Sequence, residues 1–176
     1  MSDLSSVRSM IQVEETDYKS AASEAFVKKL GKSVNFINTN QYDTKDFFLN
    51  GRYNIATMPQ TAVDGLYIFP YDVEIFNAYA FNIVAGSSGT TELDIKRLTA
   101  SGGTGTSIFS TTPKIAYTAG DNAYVGAGET GTGLTAPILS SSPFNISAGD
   151  AIYCDIIQAQ GGNPENCGIL VYFRPR

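Results

Sequence analysis

From residue 61 onward, apolar and polar positions alternate along short runs separated by Gly, Ser and Thr. A period of two places successive side chains on opposite faces of an extended chain, so these runs predict half-buried strands. They span 62–69 (stopped at Pro70), 73–84, 91–98, 107–110 (stopped near Pro113), 136–140, 144–147, 151–160 and 166–174. In the run 91–98, Leu93, Ile95 and Arg97 fall on one face and Glu92, Asp94 and Lys96 on the other. The run at 73–84 is long enough that a bend, or a strand serving both faces, is expected. Residues 119–134 are Gly-rich and predict no clear element. The last two runs flank 161–165 and predict a closing hairpin in which Ile152, Cys154 and Ile156 face Ile169, Val171 and Phe173. About eight short strands with no helical pattern between them predict a mainly β fold, an antiparallel two-sheet sandwich of the jelly-roll kind.

The first 60 residues read differently. An arm at 1–15 carries scattered apolar positions, Val7, Met10, Ile11 and Val13, with no strong period. Thr16 or Asp17 can cap a short helix running to Leu30, with Ala22, Phe26, Val27 and Leu30 on one face and Gly31 as its stop. A helix of that length is marginal alone in water, so it must dock on something. Asn50-Gly51 lies between apolar runs at 47–49 and 53–55 and predicts a hairpin turn, because both residues tolerate positive φ. The expected division is therefore 1–60, an arm, helix and hairpin for attachment or oligomerisation, and 61–176, the β-sandwich. Val7, Met10, Ile11, Val13, Phe26 and Leu30 are the candidate partner-binding residues.

Composition sharpens this picture. Apolar residues make up 43% of the 176, enough for a real core. Charged residues are only 16%, against about 25% in an average domain. The surface is then largely neutral and polar, which suits a protein packed among proteins. Residues 1–60 carry seven Lys/Arg and seven Asp/Glu, while residues 61–176 carry five and ten, and so all of the net −5. Nucleic acid and anionic membranes are bound by basic patches, so neither is an expected partner. No run approaches the length of a membrane span, and the N-terminus, MSDLSSVRSM, has no apolar signal core. Synthesis without export by such a signal is expected.

Histidine is absent, which removes Ser-His-Asp, Cys-His and most zinc arrangements. Cys154 and Cys167 sit in apolar strand-like settings, and the hairpin register would separate them by ~13 Å along the strand, so free, inert thiols are expected. Glu92 and Asp94 could form a glycosidase pair, but a solvated sheet face explains them better. Asp150, after Ala148-Gly149, reads as a turn residue. Gly120-Asp121-Asn122 lacks the further oxygens a calcium loop needs. Gly126-Ala127-Gly128-Glu129-Thr130-Gly131 fits G-x-G-x-x-G, yet it is not expected to follow a strand or open a helix, so it reads as a loop. Asn145-Ile146-Ser147 is a glycosylation sequon by chance. No catalytic or metal site and no cofactor is expected. Tyr117 and Tyr124, among Gly/Thr loops, are the candidates for a sugar-binding rim.

Three stretches carry a resemblance: Ala85-Gly86-Ser87-Ser88-Gly89-Thr90-Thr91-Glu92-Leu93-Asp94-Ile95-Lys96-Arg97, then Thr106-Ser107-Ile108-Phe109-Ser110-Thr111-Thr112-Pro113-Lys114-Ile115, then Ile146-Ser147-Ala148-Gly149-Asp150 before the final strands. Over about 70–176 this cadence resembles the small jelly-roll domains of tailed-bacteriophage virion proteins, of the head-decoration, head-fibre and tail-fibre type. The resemblance implies a non-enzymatic structural protein located in the virion and made in a host bacterial cytoplasm. It implies a variable N-terminal part that attaches to a capsid or other virion chain. A further similarity to tumour-necrosis-factor-like heads implies a trimer. The chain lacks a long fibre repeat, which favours a capsid decoration or head-fibre subunit. The alternative is a receptor- or carbohydrate-binding tail-fibre module, and the third and least favoured reading is an enzyme such as a polysaccharide depolymerase.

Overall fold

The computed structural model describes residues 42–52, 60–162 and 164–176, with the side chains of 49–52 and 60–63 set aside. Among them the chain is almost wholly extended. The strands are β1 (Asp43–Arg52), β2 (Gln60–Ile68), β3 (Val73–Val84), β4 (Thr90–Leu98), β5 (Thr106–Ser107), β6 (Phe109–Thr111), β7 (Lys114–Ala116), β8 (Ala123–Gly126), β9 (Leu134–Thr135), β10 (Ile138–Leu139), β11 (Phe144–Ile146), β12 (Ala151–Gln158) and β13 (Glu165–Pro175). Among the described residues a 3-10 turn occupies Tyr117–Ala119.

Two antiparallel sheets form the sandwich. The first runs β1-β13-β3, with β8 and β11 both on the far edge of β3, and the second runs β2-β12-β4-β7-β9. Successive long strands alternate between the sheets, β1 and β3 in one, β2 and β4 in the other. The last two strands slot between them, β13 between β1 and β3, β12 between β2 and β4. That interleaving is the jelly-roll order, so the expected fold class holds. A small pair, β6-β10, lies outside both sheets.

The core lies between the sheets and follows the alternation. Phe47, Val73, Ile75, Ala78, Ala80, Val125, Ile169, Val171 and Phe173 come from the first sheet. Leu93, Ile95, Ile115, Ile152, Cys154 and Ile156 meet them from the second. The bend expected in 73–84 is a β-bulge. Inward positions step from Ile75 to Ala78, and the register against β13 slips between Tyr172 and Phe173. At this slip the Asn77 side-chain oxygen accepts the Ala78 N–H at 2.8 Å.

Four expectations need correction. First, β12 and β13 do not pair as a hairpin; they lie in different sheets. Their inward residues do face one another, but across the sandwich. Second, Asn50-Gly51 is no turn. β1 continues through it to Arg52, and the register against β13 slips between Leu49 and Arg52, which makes it an irregularity within an edge strand. Third, the β-domain does not begin at 61. β1 hydrogen-bonds along β13, Phe47 is fully buried in the core, and chain contacts divide the protein between Gln41 and Tyr42. Fourth, residues 119–134 do hold elements, β8 and the start of β9.

Both cysteines are free and buried, as expected, although not through the hairpin register that suggested it. Burial pushes the Cys154 thiol far up, with Asp155 and Asp94 adding to it. Burial also pushes the Cys167 thiol up to about 11. Its Sγ lies 3.4 Å from the Asn82 side-chain oxygen. Thiols so placed are poor nucleophiles.

Candidate interaction surface

A sandwich already filled on its inner face is expected to show water a polar outer face. The first sheet does not. From β3, Phe76, Tyr79 and Phe81 point outward, because Ile75, Ala78, Ala80 and Asn82 point in. β13 adds Tyr172, and β1 adds Phe48, with Tyr42 just before it. Tyr42 packs on Phe76 at 6.2 Å and on Tyr172 at 5.8 Å between ring centroids. Tyr172 also meets Phe76 at 6.2 Å and Tyr79 at 5.7 Å. Phe48 stacks on Phe81 at 5.7 Å, with planes 25° apart.

Two glycines let these rings lie flat. A Cβ on Gly168 would sit 2.5 Å from the Phe81 ring, and one on Gly126 would sit 2.2 Å from the Tyr79 ring. Covering those glycines accounts for part of the burial of Phe81 and Tyr79. It does not account for Tyr42, 61% exposed, or for the row as a whole. Charge on this face is sparse: Asp46 stands exposed on β1 in register with Leu170, and an ion pair occupies one corner. There the Arg174 guanidinium lies 5.7 Å over the Phe76 ring and pairs with Glu74. An aromatic patch with few charges, Asp46 on β1 and the Arg174–Glu74 pair at a corner, has the make-up of a protein interface.

The outer face of the second sheet is the opposite case. Glu92, Asp94 and Asp155 lie on it with Lys96 and Lys114, in an ordered network. Lys114 meets Glu92 at 2.9 Å and Lys96 meets Asp155 at 2.8 Å. Thr112 donates to Glu92 at 2.5 Å and Ser107 to Asp94 at 2.6 Å. Asp94 and Asp155 are register partners across β4 and β12. The expectation of a solvated face fails for Asp94, which is buried. The cause is β5, which pairs along β4 so that Ser107 reaches Asp94, with Gly105 against the Tyr153 hydroxyl. Burial raises the Asp94 carboxyl, with Asp155 and Glu92 adding to the rise, and Ser107 and Lys96 opposing it. Lys96 is raised chiefly by its hydrogen bond to Asp155. Each carboxylate is bound by hydroxyl or ammonium groups, so the set ties Ser107 and Thr112 to β4.

Asp150 is the expected turn residue and also an anchor. Its carboxylate accepts from Arg97 through Nε at 2.8 Å and Nη2 at 2.5 Å, and from the Ala100 N–H at 3.0 Å. Burial alone would raise its carboxyl, but those partners together pull it below the usual range. Gly126–Gly131 does follow a strand, β8, contrary to expectation, but it runs through turns into β9 and opens no helix.

Val7, Met10, Ile11, Val13, Phe26 and Leu30, and the helix expected to carry the last two, lie outside the described residues. Tyr117 and Tyr124 are both exposed, but the structure does not bring them to one site. Tyr124 lines an open cleft of about 560 Å³ with Thr118, Asp121, Asn122, Glu129 and Thr132, and Tyr117 is not in its lining. Among the described residues no group of three or more Asp, Glu, Cys or His could hold a metal. No helix among them is long and apolar enough to cross a membrane. The aromatic face escaped the sequence reading, yet it left a signal: 73–84 is apolar at both parities, as in a strand covered on both sides.

No family model and no curated protein matches the chain. Among solved structures, one described as the structure of infectious bursal disease virus Gx strain matches at 17% identity with a TM-score of 0.32, over 76% of this chain and 32% of that one. This chain spans about a third of that chain's length, and so loose a superposition carries no argument.

Proposed function

We propose that this chain is a non-enzymatic structural protein of a virion, a capsid decoration or head-fibre subunit that is made in a host bacterial cytoplasm. It assembles with copies of itself, as a trimer, through the aromatic outer face of the first sheet. A capsid or other virion chain takes the N-terminal segment, through Val7, Met10, Ile11, Val13, Phe26 and Leu30. The aromatic face is the observation that carries this reading. Six rings on the solvent side of a sheet give apolar area worth roughly 25 cal/mol per Å² once covered. Large exposed patches of this kind mark interaction sites. The low charge of the chain fits the same life among protein neighbours. Nothing in the buried cysteines or the tied carboxylates supports turnover of a substrate.

Purified virions from the source of this gene provide the test. Their electron cryo-microscopy maps should show the jelly-roll domain on the particle surface, with the residues before Tyr42 leading into a capsid or other virion subunit. A chain absent from purified particles contradicts the reading. So does a particle on which the β-domain makes the attachment and the residues before Tyr42 touch nothing.

A further inference from the structure

We propose that the cleft beside Tyr124 is a binding site for an uncharged pyranose sugar. The site lies at the β8 edge of the first sheet, where Tyr124 is the register partner of Phe81 and so borders the aromatic row. The cleft is built rather than incidental. One wall is Thr118 and Ala119, at the end of the 3-10 turn, with the residues that follow; the other comes from the chain between Glu129 and Leu134. Backbone hydrogen bonds fix both walls: Ala116 N–H to the Gly133 carbonyl at 2.7 Å, Asn122 N–H to the Ile83 carbonyl at 3.0 Å, and Leu134 N–H to the Gly131 carbonyl at 3.2 Å. Gly133 has φ of 75°, and a Cβ there would meet the Thr118 hydroxyl at 2.6 Å, so the walls are in close contact at their base. A ligand entering this cleft has little ordering to impose.

Three features select the ligand. Tyr124 is 59% exposed at the rim and offers a ring face for the C–H face of a sugar. Asp121 and Glu129 each use one oxygen structurally, Asp121 Oδ1 on the Ala85 N–H at 2.7 Å and Glu129 Oε2 on the Gly126 N–H at 3.1 Å. That orients both carboxylates, and neither has an ion-pair partner among the described residues. Their other oxygens are acceptors for sugar hydroxyls, and Thr118, Thr132 and the Asn122 amide add donors and acceptors. With two carboxylates and no cation lining the cleft, sugars bearing a carboxylate or sulfate are repelled. The ligand class is therefore a neutral hexose or N-acetylhexosamine unit of a glycan.

The test is a glycan array probed with the labelled full-length chain, holding neutral glycans beside their sialylated, uronate-bearing and sulfated counterparts. Binding to neutral glycans is expected. It should weaken at least about tenfold in Tyr124→Ala, stay near wild type in Tyr124→Phe, and be unchanged in Tyr117→Ala. The thermal melt and solution mass of each variant are measured alongside. No binding to neutral glycans overturns the proposal, as does a preference for the acidic ones. Equal binding by Tyr124→Ala also overturns it. If Tyr124→Ala changes the solution mass instead of glycan binding, Tyr124 belongs to the assembly face and the sugar site is refuted while the structural reading stands.

Discussion

Phe173→Ala is expected to destabilise the β-domain by about 3–5 kcal/mol, the range for emptying a fully buried aromatic site. Phe173 is 1% exposed on the central strand of the first sheet. Its ring meets Phe69 edge-on at 5.0 Å and Tyr67 at 6.0 Å, and Phe69 meets Tyr67 at 5.0 Å. This trio joins β13 to β2 and the residue just after it, and so links the two sheets at one end of the sandwich. Alanine removes the shared member, and the two remaining rings cannot close the gap without moving the strands that carry them. Tyr172→Ala, one residue away on the outer face, should cost about 1 kcal/mol in the separated chain. In the assembled protein its cost should grow with concentration, because assembly adds stability only to the folded form. Urea unfolding of both variants at two concentrations measures this. Small and equal losses would contradict the inward placement of Phe173.

Gln160→Leu is expected to cost about 2–4 kcal/mol, because it keeps the bulk of the side chain and orphans one buried and one half-buried backbone group. Gln160 is fully buried. Its oxygen accepts the Gly86 N–H at 2.6 Å and its amide donates to the Ile115 carbonyl at 2.8 Å. It thereby ties the loop after β3 to β7. The neighbouring backbone is equally committed: Ser87 N–H to the Gly161 carbonyl and Gly161 N–H to the Ser88 carbonyl, both at 2.7 Å. Leucine supplies neither a donor nor an acceptor, and the site is too enclosed for water to substitute freely. Denaturant unfolding reads the effect, and a loss below about 0.5 kcal/mol, typical of a surface change, would contradict it.

The strands themselves were legible because alternation reports which side chains point inward. Ile152, Cys154 and Ile156 and Ile169, Val171 and Phe173 were all placed correctly on that ground. The partner of each strand was not legible. Inward residues look the same whether they line one sheet side by side or face each other across a sandwich, so the sequence alone predicts a hairpin of β12 and β13 where the fold puts them in different sheets. Asn50-Gly51 carries turn chemistry, but the same tolerance of positive φ serves an irregular edge strand. β8 was missed because Ala123-Tyr124-Val125-Gly126 is short and ends in a glycine that makes room for Tyr79. Alternation alone predicts a solvated Asp94, because strand pattern cannot foresee that β5 pairs beside β4 and brings Ser107 onto it. The site candidates fared similarly. Tyr117 and Tyr124 were both exposed as expected, but only the folded chain separates the one that lines a cleft from the one that does not.

The central claim, assembly of identical chains through an aromatic sheet face, is tested most directly by sedimentation equilibrium. The full chain should be compared with a variant carrying Tyr79→Lys and Tyr172→Lys. Both positions are half-buried on the outer face, so the variant's β-domain should remain folded while a facing copy would have to bury two unpaired ammonium groups. The account predicts that the native chain sediments as a single species of three chains and that the folded variant sediments as one chain. A native chain that is monomeric across the micromolar range, or a folded variant that keeps the native mass, would contradict it.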